Sequence, residues 1–434
     1  MGKYNIVIYA LKRYFFNTHV KGENKFMILG NVMVGQSGGP TSVINSSLVG
    51  VYKTAKNAGC QKIYGMKNGI EGLLKSNYVD LSNYIKNDID VELLKRTPSS
   101  FLGSCRYKMP KLEENPAIYE QLFNILKKLD IKYFFYIGGN DSMDTVLQLS
   151  RYASAINSDI RFMGVPKTID NDLAVTDHTP GYGSAAKYIA SAMKEVILDA
   201  TPYDIDSITI IEIMGRNAGW LTAASALSRT EDCLGPDLIY LPESTFDCNK
   251  FLNKVKDLKK EQNSVVIAVS EGIRTSDGKY VCESGNSNLT TDPFGHKFLG
   301  GTAMFLANFL KSNLGIKARG IEFSTLQRCA SHIVSKCDID EAFNAGSEAV
   351  LAALNGETGK MIIFKRISNT PYHIATDLCD ISLIANAEKV IPPEWITDDA
   401  TNISDEFIKY ARPLIIGELS PFMVDGLPRH LTLK

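Results

Sequence analysis

Five short apolar runs, each followed by glycine or polar residues and then by a helix-like stretch, limit the fold more than any other feature. The runs are "MILGNVMVG" (27–35), "IKYFFYI" (131–137), "IRFMGV" (160–165), "SITIIEI" (207–213) and "SVVIAVS" (264–270). Because these runs do not alternate with polar residues, both faces of each strand should be buried, as in a parallel sheet covered by helices. The pattern predicts an α/β protein with doubly wound, Rossmann-like parallel sheets.

Composition excludes several classes of protein. The 434 residues carry 47 Lys and Arg against 48 Asp and Glu, for a net charge of −1, which argues against a general nucleic-acid binder. No run of 18 apolar residues occurs, so no membrane association is expected. The eight cysteines form no C-x-x-C pair, which favours reduced thiols and a cytoplasmic location.

The unusual residues follow the predicted strands. They are Gly38-Gly39, Gly138 to Ser142, Lys167 to Asp172, Met214 to Asn217, and Glu271. Ligands of open α/β sheets bind outside the carboxyl ends of the strands. Five such strand ends therefore predict one composite site.

Two of these segments have direct chemical interpretations. A single Gly-Gly after a strand more often marks a plain tight turn, but two such loops, each after a buried strand, favour a phosphate cradled by backbone N–H groups at a helix start. The loop Lys167–Asp172 places two acids and a lysine within six residues, as general acid/base chemistry on a phosphoryl group requires. An Asx-rich turn with a surface ion pair would give the same letters. Arg216, Arg319 and Arg328 are candidate phosphate ligands or structural cations.

A set of longer motifs resembles the phosphofructokinases in the same order along residues 30 to 330. The motifs are "QSGGPTSVIN", "SSFLGSCR", "IGGNDS", "PKTIDND", "TPGYGSA", "IEIMGRNAGW", "LPE" and "SEG". Asp141 and Lys167 stand where ATP-using members typically have glycine, so the finer resemblance is to the pyrophosphate-dependent branch. It implies two doubly wound domains with the active site in the cleft between them, and reversible phosphoryl transfer from pyrophosphate to the 1-hydroxyl of fructose 6-phosphate.

The resemblance also implies roles for individual residues. Asp170 would be the general base and Lys167 the transition-state stabiliser, while Asp141 would exclude ATP. Gly39 and Arg106 would face the diphosphate, and Asn140 would contact Mg²⁺. The sugar phosphate would be held by Thr168, Ile169, Asp170, Met214, Gly215, Arg216, Glu271, Thr325, Arg328 and Arg319.

Two of these positions depart from the family pattern. Asn140 replaces the metal-binding Asp of the family, and an amide oxygen offers Mg²⁺ less charge than a carboxylate. Thr325 replaces a residue that is commonly His or Tyr, and it lacks the ring. In tetrameric relatives some arginines of this kind reach a neighbouring subunit, so a homodimer or homotetramer is expected.

The expected organisation has four parts. Residues 1–26 would be an N-terminal extension or the product of a mis-called start, with Met27 as the true first residue. Residues 27–180 would form the phosphoryl-donor domain and 181–330 the fructose 6-phosphate domain. Residues 331–434 would form a largely helical packing or cap region, which no motif ties to the site.

Three other functions are weighed against this one. Gly181–Ala186 reads as G-x-G-x-x-A, typical of dinucleotide-binding oxidoreductases, but "DHTP" precedes it where a strand should run. An ATP-dependent 6-phosphofructokinase shares most of the motifs but not Asp141 and Lys167. A non-catalytic sugar-phosphate-binding regulatory protein would share the fold without needing Asp170 and Lys167.

Overall fold

The computed structural model describes residues 30–202, 204–284, 299–385 and 387–433. The expectation for residues 1–26 therefore lies outside the described residues. Of the four sheets in the described residues, the two large ones organise the chain, and the other two are two-stranded. The first has seven strands in the order β11-β10-β5-β4-β1-β2-β3, and the second has four in the order β7-β8-β6-β9.

The strands of the first sheet are β1 (Asn31–Gln36), β2 (Ile63–Met66), β3 (Tyr78–Asp80), β4 (Ile131–Gly138), β5 (Arg161–Pro166), β10 (Lys360–Asn369) and β11 (Tyr372–Asp380). Those of the second are β6 (Ser207–Ile213), β7 (Leu238–Tyr240), β8 (Ser264–Ser270) and β9 (Lys317–Glu322). The second sheet is parallel throughout. In the first, only the edge strands β3 and β11 run antiparallel to their neighbours.

The helices of the described residues are α1 (Ile44–Asn57), α2 (Gly69–Leu74), α3 (Asp88–Lys95), α4 (Pro116–Lys128), α5 (Asn140–Ala155), α6 (Tyr182–Ala200), α7 (Trp220–Ala223), α8 (Cys248–Leu258), α9 (Thr302–Leu314), α10 (Leu326–Cys329), α11 (Lys336–Leu354) and α12 (Asp405–Ala411). No helix in these stretches is both long enough and apolar enough to cross a membrane.

The parallel-sheet α/β fold predicted from the apolar runs is confirmed. The described part of each run contributes a strand, and β4 shows why: Phe134, Phe135, Tyr136 and Ile137 are all buried, so successive side chains on both faces meet the core. Parallel strands end at the same edge of their sheet, and helices begin after them. This arrangement brings the segments that follow β1, β4 and β5 together.

The C-terminal region is less helical than expected. Residues 360–380 form a hairpin, and β10 pairs in parallel with β5 through Lys360 and Met361, which extends the first sheet. The second half of β10, "KRISN", alternates between exposed and partly buried residues, so it lacks the continuous apolar character of the predicted strands. Its strand structure depends on pairing with β11.

Helices α1 and α11 pack against each other with their backbones in close contact. A Cβ at Gly50 would overlap the carbonyl oxygen of Phe343, and one at Gly346 would overlap that of Ser47. These two glycines therefore allow α11, which belongs to the C-terminal region, to lie directly on α1 of the first sheet. This contact fixes α11 against the part of the chain that carries Gly38-Gly39, called the glycine loop below.

Gly346→Ala tests this close approach. In an open helix, alanine would stabilise by roughly 0.5–1 kcal/mol relative to glycine, but here the added methyl should cost about 1–3 kcal/mol through overpacking. We expect a lower thermal melting temperature. Asn344→Ala, an exposed position on the same helix, is the control and should leave the melting temperature unchanged or slightly raised. Equal stability of the two variants would contradict the predicted backbone contact.

Candidate active site

One cavity of about 460 Å³ lies at the carboxyl ends of strands from both sheets. Its walls come from the segments after β1, β4, β5, β6 and β8, together with Arg106, Arg328 of α10 and Glu388 from the C-terminal region. The composite site predicted from the strand ends is therefore formed, and it lies between the two sheets.

Lys167 is the buried cation of this cavity. It directly follows β5, and its Nζ donates a hydrogen bond to the carbonyl oxygen of Gly39 at 2.8 Å. Burial lowers the pKa of Lys167 to about 8, the cations Arg328 and Arg106 also lower it, and the carboxylates of Asp170 and Asp172 oppose the fall. The ammonium is thus held among opposing charges and can lose its proton more easily than an exposed lysine.

The glycine loop fits closely around these cations. Gly38 has φ +75°, and a Cβ there would lie 3.3 Å from the Nζ of Lys167. A Cβ on Gly39 would lie 3.0 Å from a terminal nitrogen of Arg328. Because side chains here would crowd both cations, glycines keep the loop backbone within reach of whatever anion the cations attract.

Asp170 is a buried carboxylate that interacts with the charge of Lys167. Its backbone N–H donates to the hydroxyl of Thr168 at 3.0 Å, and the same hydroxyl lies 3.4 Å from the Asp170 carboxylate. Burial raises the pKa of Asp170, while the charge of Lys167 acts in the opposite direction. A carboxylate with a raised pKa is better suited to accept and release a proton near neutral pH.

Two further carboxylates of the cavity lining, Asp172 and Glu271, have raised pKa values. Burial raises the pKa of Asp172 to about 7, and the neighbouring Asp170 and Glu388 add to the rise. Burial also raises the pKa of Glu271 to about 7, although the N–H of Gly215 donates to it at 3.3 Å. The cavity therefore combines a group of cations with two acids, Asp172 and Glu271, that can exist in either protonation state near pH 7.

The tip of β4 carries Asn140 and Asp141 in the first turn of α5. An acid at this position is favoured by the partial positive charge of the helix N-terminus. Gly138 is required there because a Cβ would overlap the hydroxyl of Ser142. The amide Nδ2 of Asn140 donates to the carbonyl oxygen of Ala387 at 2.9 Å, which fixes the orientation of the side chain.

Most of the predicted site residues come together in this cavity. Those that line it are Gly39, Arg106, Asn140, Asp141, Lys167, Thr168, Ile169, Asp170, Met214, Gly215, Arg216, Glu271 and Arg328. Two others do not reach the cavity of their own chain. Thr325 is exposed just before α10, and Arg319 bonds the Thr209 hydroxyl at 3.1 Å and lies 3.7 Å from Asp199.

Sequence reasoning missed the contribution of the C-terminal region. Glu388 lines the cavity, and the carbonyl of Ala387 holds Asn140. The segment follows no predicted strand, so its position could not be read from the pattern. Asp172 also lines the cavity without a role implied by the family resemblance, and the second acid of "PKTIDND" is the sequence signal for it.

Comparison with known proteins agrees with this geometry. The phosphofructokinase family model matches residues 31–322. The chain is 41% identical over 411 residues to a pyrophosphate–fructose 6-phosphate 1-phosphotransferase of Xanthomonas campestris pv. campestris, covering 94% of this chain and 97% of that protein. It is 40% identical over 403 residues to the protein of the same name from Halomonas elongata, with 92% and 95% covered.

A solved structure extends the likeness to the whole fold. The pyrophosphate-dependent phosphofructokinase of Nitrosospira multiformis superposes with a TM-score of 0.84 at 38% identity, covering 93% of this chain and 96% of that one. The family resemblance first seen in the motifs is confirmed. With the matched model, the similar relatives and the shared fold in agreement, the chain belongs to the phosphofructokinase family.

Proposed function

We propose that the chain transfers a phosphoryl group reversibly from pyrophosphate to the 1-hydroxyl of fructose 6-phosphate, giving fructose 1,6-bisphosphate and phosphate. The observation that carries this is the presence of Lys167, Asp170 and Asp141 in one cavity, with Lys167 bonded to the glycine loop. The names of the similar relatives support the same donor and acceptor.

Asp170 is proposed as the general base. It takes the proton of the sugar 1-hydroxyl as that oxygen forms its bond to phosphorus, while the bond between this phosphorus and the bridging oxygen of pyrophosphate breaks and phosphate leaves. Lys167 balances the charge on the transferring group, because such transfer depends chiefly on positioning and neutralisation. Gly39 and Arg106 face the donor.

The sugar phosphate is proposed to lie against the tips of the second sheet. Met214, Gly215, Arg216 and Glu271 follow β6 and β8 and line the cavity on that side. The remaining contacts in this proposal come from Thr168, Ile169, Arg328, Thr325 and Arg319. Since Thr325 and Arg319 both lie outside the cavity of their own chain, their roles require a neighbouring subunit, which is consistent with a homodimer or homotetramer.

Each sheet then serves one substrate. We propose that residues 27–180 bind the pyrophosphate and residues 181–330 bind fructose 6-phosphate, with residues 331–434 packing onto both units and closing one side of the cavity. This division has support in the lining of the cavity, to which the ends of strands from both sheets contribute. We also propose a cytoplasmic location, as expected for an enzyme of sugar phosphates.

Mg²⁺ is proposed as the cofactor. Within the described ranges no three His, Cys, Asp or Glu residues cluster closely enough to hold a metal, so the pyrophosphate oxygens would complete the coordination. The chemistry of the cavity fits a hard cation that prefers oxygen ligands. The amide oxygen of Asn140, oriented by the bond to Ala387, and the carboxylate of Asp172 are the protein groups proposed to face it. When bound, the ion would neutralise charge on the donor.

The donor and the base can be tested together by initial rates with fructose 6-phosphate and Mg²⁺. We expect turnover with pyrophosphate and none with ATP, and Asp170→Ser should lower turnover by roughly 10²–10⁴-fold because the general base is lost. Turnover with ATP alone would indicate an ATP-dependent kinase. Binding of fructose 6-phosphate without turnover by either donor would indicate a regulatory sugar-phosphate-binding protein.

Asp141→Gly, alone or with Lys167→Gly, tests the exclusion of nucleotides. Removing one negative charge beside a nucleotide phosphate should relieve on the order of 1–4 kcal/mol of repulsion, so ATP affinity measured by calorimetry should rise about tenfold or more. The control is Asp144→Gly, the same substitution less than one turn further along α5 and outside the cavity lining. Unchanged ATP affinity in both Asp141 variants would reject this role.

The pKa of Lys167 predicts a pH dependence. The cation is the form that stabilises the transferring group, so kcat/KM for pyrophosphate should fall as pH rises through about 8. Lys167→Arg stays charged and should move this fall to higher pH, whatever its absolute rate. Ionisation of pyrophosphate is common to both proteins, and Lys132→Arg serves as the matched surface control. Identical pH profiles of kcat/KM for the wild type and Lys167→Arg would show that Lys167 does not cause the fall at high pH.

A further inference from the structure

Tyr410 holds the loop of residues 167–172 by a hydrogen bond on the side away from the cavity. It lies beyond the residues matched by the family model. Asn171 is fully buried with φ +55°, and its Nδ2 donates to the Tyr410 hydroxyl at 2.9 Å. That hydroxyl donates in turn to the carbonyl oxygen of Asp177 at 2.7 Å. One phenol therefore links the residue next to Asp170 to the following turn.

The phenol is itself held in place on several sides. Arg366 donates to the Tyr410 carbonyl oxygen at 2.6 Å and lies over its ring at 4.6 Å. The same guanidinium donates twice to the Asp177 carboxylate, at 3.0 and 2.8 Å. Trp220 and Trp395 pack against the ring with centroid distances of 5.4 and 5.6 Å. The hydroxyl thus has little freedom to move.

A buried charge network extends this anchor away from the cavity. The Asp177 carboxylate lies 2.7 Å from Nδ1 of His178, and Nε2 of that ring lies 2.6 Å from the Glu341 carboxylate on α11. Tyr372 of the hairpin donates to the same Glu341 at 2.6 Å. Buried polar networks with satisfied partners are rigid, so α11 and the hairpin define the position of Asp177.

Lys389 provides a second attachment from the C-terminal region. Its backbone N–H donates to the carbonyl oxygen of Asp172 at 2.7 Å, and its Nζ donates to the carbonyl oxygens of Asp177 and Thr176 at 2.7 and 3.1 Å. The loop is therefore bonded at both Asn171 and Asp172. None of these groups lines the cavity except Asp172.

We propose that Tyr410 is a positioning residue for the reaction: through Asn171 it fixes the backbone that places the Asp170 carboxylate against the sugar hydroxyl. The inference rests on the proposed function. A general base must lie within hydrogen-bond reach of its proton, and a displacement of about 1 Å can cost roughly 100-fold in rate. Tyr410 reaches no cavity-lining surface, so its effect falls on turnover rather than on substrate affinity.

Tyr410→Phe removes only the hydroxyl. We expect kcat to fall about tenfold while KM for fructose 6-phosphate and for pyrophosphate stays within about twofold. The matched control is Tyr52→Phe, which removes a buried hydroxyl that also donates to a backbone carbonyl, that of Ile85 at 3.0 Å. The control should lose thermal stability but keep its kcat. Equal loss of kcat in both variants, or none in Tyr410→Phe, would overturn the proposal.

A double-mutant cycle tests whether Tyr410 acts on Asp170 through Asn171. Asn171→Gly tolerates the positive φ while removing the amide, and combining it with Tyr410→Phe should lower kcat little beyond the worse single variant. Multiplicative losses would overturn this route.

Hydrogen exchange separates the inference from the proposed function. Backbone amides of residues 167–172 should exchange faster in Tyr410→Phe than in the wild type, whichever reaction is catalysed. A wild type without pyrophosphate activity would reject the proposed function, whereas unchanged exchange in this loop would reject the positioning role.

Discussion

The buried ammonium of Lys167 is the interaction on which the rest of the site depends. A lysine removed from water is tolerated only where opposite charge and hydrogen-bond acceptors replace the solvent. Here the carbonyl oxygen of Gly39 accepts the hydrogen bond and Asp170 supplies the opposite charge. The glycines of the first loop follow from this, because side chains at positions 38 and 39 would crowd Lys167 and Arg328. The ends of β4 and β5 must also align. Gly138 pairs with Pro166, which brings the loop after β4 next to the loop after β5.

The same cation explains why the cavity suits a phosphate-bearing ligand. Arg106 and Arg328 lower the pKa of Lys167 in addition to burial, so the three cations repel one another when the cavity holds no anion. A diphosphate would relieve that repulsion and oppose the fall in the pKa of Lys167 that burial causes. Binding of the donor would therefore favour the protonated form of Lys167, which is the form proposed to stabilise the transferring group.

The sequence allowed prediction of those parts of the molecule that local patterns determine. Runs such as 131–137 are apolar on both faces, and their strand ends collect glycine and charge, so the parallel sheets and most of the cavity lining could be predicted. The hairpin at 360–380 and the segment around Glu388 could not. Their structure depends on partners distant in sequence, such as β5 for the hairpin and Asn140 for Ala387, and no local period reveals such pairing.

Asp141 illustrates how specificity and stability can act in the same direction. In the first turn of α5 a carboxylate interacts favourably with the helix dipole, typically by 0.3–1 kcal/mol. A glycine there would lose that term and add roughly 1 kcal/mol of helix-propensity cost. If the carboxylate also keeps a nucleotide phosphate out of the cavity, then a change toward ATP use must overcome a loss of stability at the same position. The residue proposed to exclude nucleotides would thus also favour the start of the helix.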